Sequence, residues 1–187
     1  ENIKPPKSIL KWKGDYIFCF RSYYILNKQL INKAKFAAIN FHPGPPKYRG
    51  IGCVNFAIYN NEKKYGLTAH IISEKIDRGP ILDVKRFKIK KNDTVNKLLN
   101  KTYDLQTLQF KKIIEKLFYN PKNINELKLK SSNEQWSKKY YKRSDLNWLY
   151  KINPNFTSNK INRIIKATNT KSFKPYIEFS NYKFFLQ

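Results

Sequence analysis

The sequence contains no methionine in 187 residues, only two histidines, two cysteines and six glycines, and 13 acidic side chains against 38 basic ones. Each shortage excludes something. Two cysteines, Cys19 in an apolar run and Cys53 after a glycine loop, cannot build a disulfide framework and lack the spacing of a metal site; both read as reduced thiols. There is no run of 18 apolar residues, and no charged leader followed by an apolar stretch and a small-residue cleavage site. Neither a membrane span nor a secretory signal is legible, and the cytoplasm is the expected compartment. The missing methionine, with Glu1 in first place, is what a fragment, or a chain with its beginning left out, would present. The acid shortage leaves a formal net charge of +25, a field that attracts polyanions without sequence preference. Most of the excess is lysine, spread among many Asn and Ile as A/T-rich coding would give. Arginine, the better bidentate phosphate ligand, is scarce. Codon bias and RNA binding both stand as origins of the charge, and a phosphate-bearing ligand suits either.

What the sequence does contain is concentrated between Asn40 and Leu82. Both histidines lie there, with most of the glycines. The apolar run Phe36 to Phe41 reads as a strand that ends where a Pro/Gly-rich segment prevents its continuing, which puts Asn40 and His42 at a strand end. A second strand, Tyr65 to Glu74, carries His70. It leads through the turn chemistry of Asp77-Arg78-Gly79 into a third strand, Ile81 to Ile89. Strand ends and the loops after them are where open α/β sheets build ligand sites. An amide, an imidazole and a carboxylate on adjacent loops suit stabilisation of a developing oxyanion while protons are moved. No Ser or Cys nucleophile fits the set, which favours direct transfer over a covalent enzyme intermediate.

The pattern Asn40-x-His42-Pro43, then a proline-containing loop and Gly50, then Gly66-Leu-Thr68-x-His70, six residues, and Asp77-x-Gly79-x-Ile81-Leu82 resembles the formyltransferases that use 10-formyltetrahydrofolate. These act on glycinamide ribonucleotide, methionyl-tRNA or nucleotide-linked amino sugars. The resemblance implies an α/β fold with a Rossmann-like, mostly parallel sheet flanked by helices. It implies Asn40, His42 and Asp77 as the catalytic set, with His70 lining the site. By position it assigns the folate to Tyr24 and Leu26 after the first strand and to the segment holding Ile72 and Ile76, largely through backbone. Tyr48 and Arg49 fall where an acceptor would lie, Arg49 as a phosphate contact. The chain departs from the pattern at Gly44-Pro45-Pro46-Lys47, where members commonly have Ser-Leu-Leu-Pro. That touches loop stiffness and acceptor contacts. Members also carry roughly another half-domain of βα units before the position of Asp15. If absent, it would leave an exposed sheet edge and an incomplete pocket.

The remaining elements read as follows. Asp15 to Phe20 is a buried strand; Lys28 to Lys33 and Gly52 to Asn60 are short helices; Asp93 caps a long helix through Phe118 whose stripe includes Leu105 and Leu108. Residues 1–120 form the expected catalytic domain and 121–187 an appendage. The appendage has an aromatic-basic stretch from Ser137 to Asp145, a helix from Asn159 to Thr168, and a hairpin around Ser180-Asn181. The expected reaction is formyl transfer to a primary amine, first that of a nucleotide-linked sugar and alternatively methionyl-tRNA. A non-catalytic scaffold is the remaining alternative, and a homodimer is among the expectations.

Overall fold

The computed structural model describes residues 7–22, 24–130 and 133–187. Tyr23, in the segment read as following the first strand, lies outside the described residues. Its main sheet has the order β1-β2-β4-β5. Strand β1 (Gly14–Phe20) is parallel to β2 (Ala34–His42), with Cys19 opposite Asn40; β4 (Lys64–Ile71) lies antiparallel to β2, and β5 (Ile81–Lys88) antiparallel to β4. The α/β class read from the sequence is the class observed. The parallel relation holds between β1 and β2, whereas β4 returns as β5 through a link too short for the crossover a parallel pair requires.

Helices form where caps and patterning agree. Helix α1 (Lys28–Ile31) is capped by the Asn27 side chain, and α2 (Cys53–Tyr59) begins after β3 (Arg49–Gly50). The long α3 (Val95–Tyr119) is capped by Thr94, whose hydroxyl accepts from the Lys97 N–H. Asp93, the expected cap, instead accepts from the Lys90 N–H one turn earlier. The buried face of α3 also differs from expectation: Leu108 is exposed, while Thr102, Gln106 and Gln109 are inside. Their donors are bonded, Thr102 to the Leu98 carbonyl of its own helix, while Oε1 of Gln106 and of Gln109 is buried without a partner among the described residues. Gln106 Nε2 donates to the Phe41 carbonyl at 2.5 Å and Gln109 Nε2 to Asp83 Oδ2 at 2.8 Å, which ties α3 to β2 and β5.

Beyond Asn120 come α4 (Ile124–Lys130), β6 (Tyr140–Tyr141, parallel to β3), α5 (Arg143–Tyr150), β7 (Lys151–Ile152), α6 (Ser158–Thr168) and the hairpin β8 (Tyr176–Phe179) with β9 (Tyr182–Phe185). This region shares its core with what precedes it. Tyr141, Leu146, Leu149, Ile164 and Ala167 pack in one cluster with Tyr48, Val54, Phe56 and Leu98. A second cluster joins Ile39, Phe41, Ala69 and Leu82 of the sheet to Ile113 and Leu117 of α3 and to Ile124 and Leu127 of α4. The Asn120 boundary therefore cuts through packed structure, since both clusters draw residues from each side of it. Among the described residues no helix is long and apolar enough to cross a membrane.

Candidate active site

Strand register assembles the site. Asn40 on β2 is directly opposite His70 on β4, and His42 is opposite Thr68. Directly opposed residues and those two apart share a face of the sheet, so Asn40, His42, Thr68 and His70 all look the same way. The β4–β5 register shifts between Ala69 and His70, an irregularity of the kind that re-aims a side chain. Asn40 Nδ2 lies 3.1 Å from His70 Nε2. Asp77 enters from the β4–β5 loop with φ +47, a left-handed conformation that aspartate tolerates better than most residues. Its carboxylate sits 3.6 Å from His42 Nδ1 and 3.5 Å from His70 Nε2, and accepts the Gly50 N–H at 3.0 Å.

These contacts fix the proton positions. His42 Nε2 is 2.8 Å from the Tyr48 carbonyl, which can only accept, so Nε2 carries a hydrogen. His70 Nδ1 is 2.8 Å from the Ile71 carbonyl and is likewise the donor there, and its Nε2 faces both the Asn40 amide at 3.1 Å and the Asp77 carboxylate at 3.5 Å. Burial opposes a charge on His42, but the Asp77 carboxylate, Cys53 and the Tyr48 carbonyl together outweigh it and raise the imidazole to about 9. Burial in turn pushes Asp77 up, and His42, His70 and the Gly50 N–H together bring it down to about 2. The two form an imidazolium–carboxylate pair. Its second proton, on His42 Nδ1, is separated from Asp77 by more than hydrogen-bond length, so a ligand oxygen can compete for it.

Close backbone packing maintains this arrangement. A Cβ at Gly44 would stand 2.7 Å from His42 Nε2 and 2.9 Å from the Tyr48 carbonyl, in the way of the bond between them. The Thr68 hydroxyl donates to the Gly44 carbonyl and that of Tyr65 to the Pro43 carbonyl, both at 2.7 Å, so the proline loop is held from β4. A Cβ at Gly79 would lie 1.7 Å from the Ile71 carbonyl oxygen, so only glycine lets the Asp77 loop fold back on β4.

A cleft of about 680 Å³ opens beside the set, with Asn40, His42, His70, Gly50 and Asp77 in its wall. Tyr24, Leu26, Ile72 and Ile76 also line it, joined by Ile25, Arg21 and Tyr103. The Arg21 guanidinium lies 3.8 Å over the Tyr103 ring. The sequence-predicted residues Asn40, His42, Asp77, His70, Tyr24, Leu26, Ile72 and Ile76 thus converge on one cleft.

Tyr48 and Arg49 do not. Both are buried outside the cleft wall: the Tyr48 hydroxyl is bonded to Glu62 (2.8 Å) and Asn60 (3.0 Å). Arg49 gives Nε to the Asp77 carbonyl (2.7 Å), Nη2 to Ile76 (2.9 Å) and Nη1 to Ser137 (3.1 Å). The Tyr48 hydroxyl and all three Arg49 guanidinium nitrogens are bonded to the protein, so they brace the loops where an acceptor contact was expected. Sequence reasoning also missed Trp136, whose Nε1–H donates to the Gly79 carbonyl at 2.8 Å and whose ring packs edge-to-face on both imidazoles. It lies far along the chain in a lysine-rich stretch, and no spacing pattern links it to either histidine. Among the described residues no three His, Cys, Asp or Glu side chains gather as a metal site.

Comparison with known proteins adds to this geometry. The family model described as "Formyl transferase" matches residues 5–114. The chain is 31% identical over 167 residues to the bifunctional polymyxin resistance protein ArnA of Wigglesworthia glossinidia brevipalpis, across 89% of this chain and 24% of that protein. It is 31% identical over 160 residues to methionyl-tRNA formyltransferase of Clostridium tetani, across 85% of this chain and 49% of that protein. The chain therefore spans half or less of the length of these relatives. Among solved structures, the N-formyltransferase of Helicobacter canadensis in complex with folinic acid and dTDP-3-aminofucose superposes with a TM-score of 0.68 at 27% identity, over 97% of this chain and 64% of that one.

Proposed function

The chain belongs to the formyl transferase family, and from that premise we propose that it transfers a formyl group from 10-formyltetrahydrofolate to a primary amine, that of a nucleotide-linked sugar, in the cytoplasm. The observation that carries this reading is the buried His42–Asp77 pair beside Asn40 at the wall of a cleft large enough for a drug-sized ligand. The apolar flanks at Leu26, Ile72 and Ile76 suit a flat ring system such as a pterin, with Asn40 and His42 next to them.

10-Formyltetrahydrofolate, when bound, supplies the formyl group. Asn40 offers a side-chain amide hydrogen, and His42 its Nδ1 hydrogen, to the negative charge that develops on the formyl oxygen. Asp77 keeps His42 protonated and receives the proton lost by the attacking amine. That proton passes by way of Asp77, directly or through water, to the departing nitrogen, so proton count and charge balance across the transfer. Removing one such oxyanion donor typically costs about 3 kcal/mol of barrier.

Support for a sugar acceptor comes from the Helicobacter canadensis protein, crystallised with an amino-sugar nucleotide. Methionyl-tRNA is the second reading, favoured by the +25 charge and by the Clostridium tetani relative. For a homodimer, one available surface among the described residues is the hairpin, where Phe179, Tyr182, Phe184 and Phe185 are all exposed.

The test is formyl transfer from 10-formyltetrahydrofolate to a panel of nucleotide-linked amino sugars and to methionyl-tRNA, followed chromatographically with Asn40→Ala as control. Turnover confined to sugars supports the first reading, and turnover on tRNA that falls steeply with salt supports the second. Folate binding with no transfer to either would leave the scaffold alternative in their place.

A further inference from the structure

Trp136 stands between α4 and β6, beyond the residues the family model matches, and yet it touches both histidines. Its ring centroid is 5.0 Å from that of His70 at 85° and 5.9 Å from that of His42 at 70°. Its indole N–H holds the Gly79 carbonyl at 2.8 Å, two residues beyond Asp77. The residues after it continue the attachment. The Ser137 N–H donates to the Pro46 carbonyl at 3.0 Å, the Ser137 carbonyl accepts from Arg49, and β6 pairs Tyr140 with Arg49 and Tyr141 with Gly50. One segment, 136–141, is thereby fastened to the proline loop and to the Asp77 loop.

We infer that Trp136 is a positioning residue for formyl transfer, one that locks the planes of the His42 and His70 rings so that the Asp77 carboxylate lies between them, and shields that side of the rings from water. The kinetic part of this rests on the proposed activity; the geometric part does not. Hydrogen bonds at the ring nitrogens resist rotation about the Cβ–Cγ bond, but His42 has one only at Nε2, and a perpendicular aromatic neighbour narrows the freedom that remains. One indole does this for two rings while its N–H fixes the loop that supplies the carboxylate. Because Trp136 does not line the cleft, its loss acts on the rate and leaves ligand contacts in place. Other titratable groups around His42 are Asp77 and Cys53; Arg49, Arg78 and Tyr140 adjoin the Asp77 side. None of these changes in the variants below.

The experiment uses the full chain with Trp136→Phe, Trp136→Leu and Trp136→Ala. Nitrogen-15 NMR of the histidine side chains gives the tautomer and titration midpoint of His42, and steady-state kinetics gives kcat and KM. In Trp136→Ala, water reaching His42 and Asp77 weakens their attraction and also relieves the burial that opposes the imidazolium. The His42 midpoint then shifts from about 9 by at least one pH unit, and kcat drops about ten- to a hundredfold while KM for the formyl donor changes less than twofold. Trp136→Phe keeps a ring against the imidazoles and recovers most of the midpoint and rate. Trp136→Leu, which fills volume without a ring or N–H, behaves like alanine and stands in for it if the alanine variant does not fold. Unchanged His42 midpoint and kcat in both the Leu and Ala variants would overturn the inference, as would a phenylalanine variant no better than leucine. If the wild-type chain transfers no formyl group but the midpoint still moves, the activity reading fails and the positioning role of Trp136 stands.

Discussion

Arg49 and Asp77 are joined backwards from the usual ion pair: Arg49 Nε donates to the main-chain carbonyl of Asp77 at 2.7 Å, and the Asp77 carboxylate is turned away toward the histidines. The cation thus fixes the position of the aspartate while its carboxylate stays free for chemistry. Its planar fork also reaches the carbonyls of Ile76 and Ser137.

Replacing Arg49 by lysine keeps the charge and loses the fork, since an ammonium cannot serve three fixed carbonyls in one plane. Arg49→Lys is expected to lower stability by about 1–3 kcal/mol in urea unfolding and to reduce kcat about tenfold or more, with little change in KM for the formyl donor. A variant indistinguishable from wild type in both measurements would refute the bracing role.

The His42–Asp77 pair has a definite pH signature. His42 is raised from 6.5 to about 9, so its contribution to stability is complete below 6.5 and is lost as pH rises through about 9. Asp77 is lowered from 3.8 to about 2, so its contribution is present above 3.8 and is lost as pH falls through about 2. Both describe one interaction and are counted once. Unfolding free energy should be flat on this account between about pH 4 and 6.5. In Asp77→Asn burial is opposed only by Cys53 and the Tyr48 carbonyl, and the His42 midpoint should fall from about 9 by NMR titration. A midpoint that stays near 9 in that variant would place the source of the shift elsewhere.

Gly79→Ala tests the close approach of the Asp77 loop to β4. With a Cβ projected 1.7 Å from the Ile71 carbonyl oxygen, the loop has to move, at a cost of about 1–3 kcal/mol. Activity should fall with it because Asp77 is displaced. Normal thermal stability with normal turnover would contradict the packing described.

Asn40→Ala and Asn40→Asp separate two functions of one side chain. Alanine removes the amide donor and should cut kcat about a hundredfold or more. Aspartate adds a second carboxylate beside Asp77 and should be no better than alanine, while folate binding by calorimetry is retained in the alanine variant. Activity near wild type in Asn40→Ala would remove it from the reacting centre.

The sequence by itself determined the parts of this protein that local chemistry controls. Strand β2 had to stop where Pro43 to Pro46 deprive the ladder of donors, so Asn40 and His42 fall at its end. The spacing from His70 to Asp77 put the second half of the site on the next strand and its loop. Eight of the ten residues assigned to the site line the cleft, and of these Tyr24, Leu26, Ile72 and Ile76 are assigned by the family resemblance and not by local chemistry. Tertiary structure decided whatever depends on which groups meet over long separations. Tyr48 and Arg49 looked like solvent-facing ligand contacts, because nothing local reveals that Glu62 and the carbonyls of Ile76, Asp77 and Ser137 take their donors. Gln106 and Gln109 fall on the buried side of α3 where the Phe41 carbonyl and Asp83 take their amide hydrogens, a match that no helical periodicity encodes. Trp136 illustrates the same limit most plainly, for its partners Gly79, His42 and His70 become neighbours only when residues 136–141 fold back along β3.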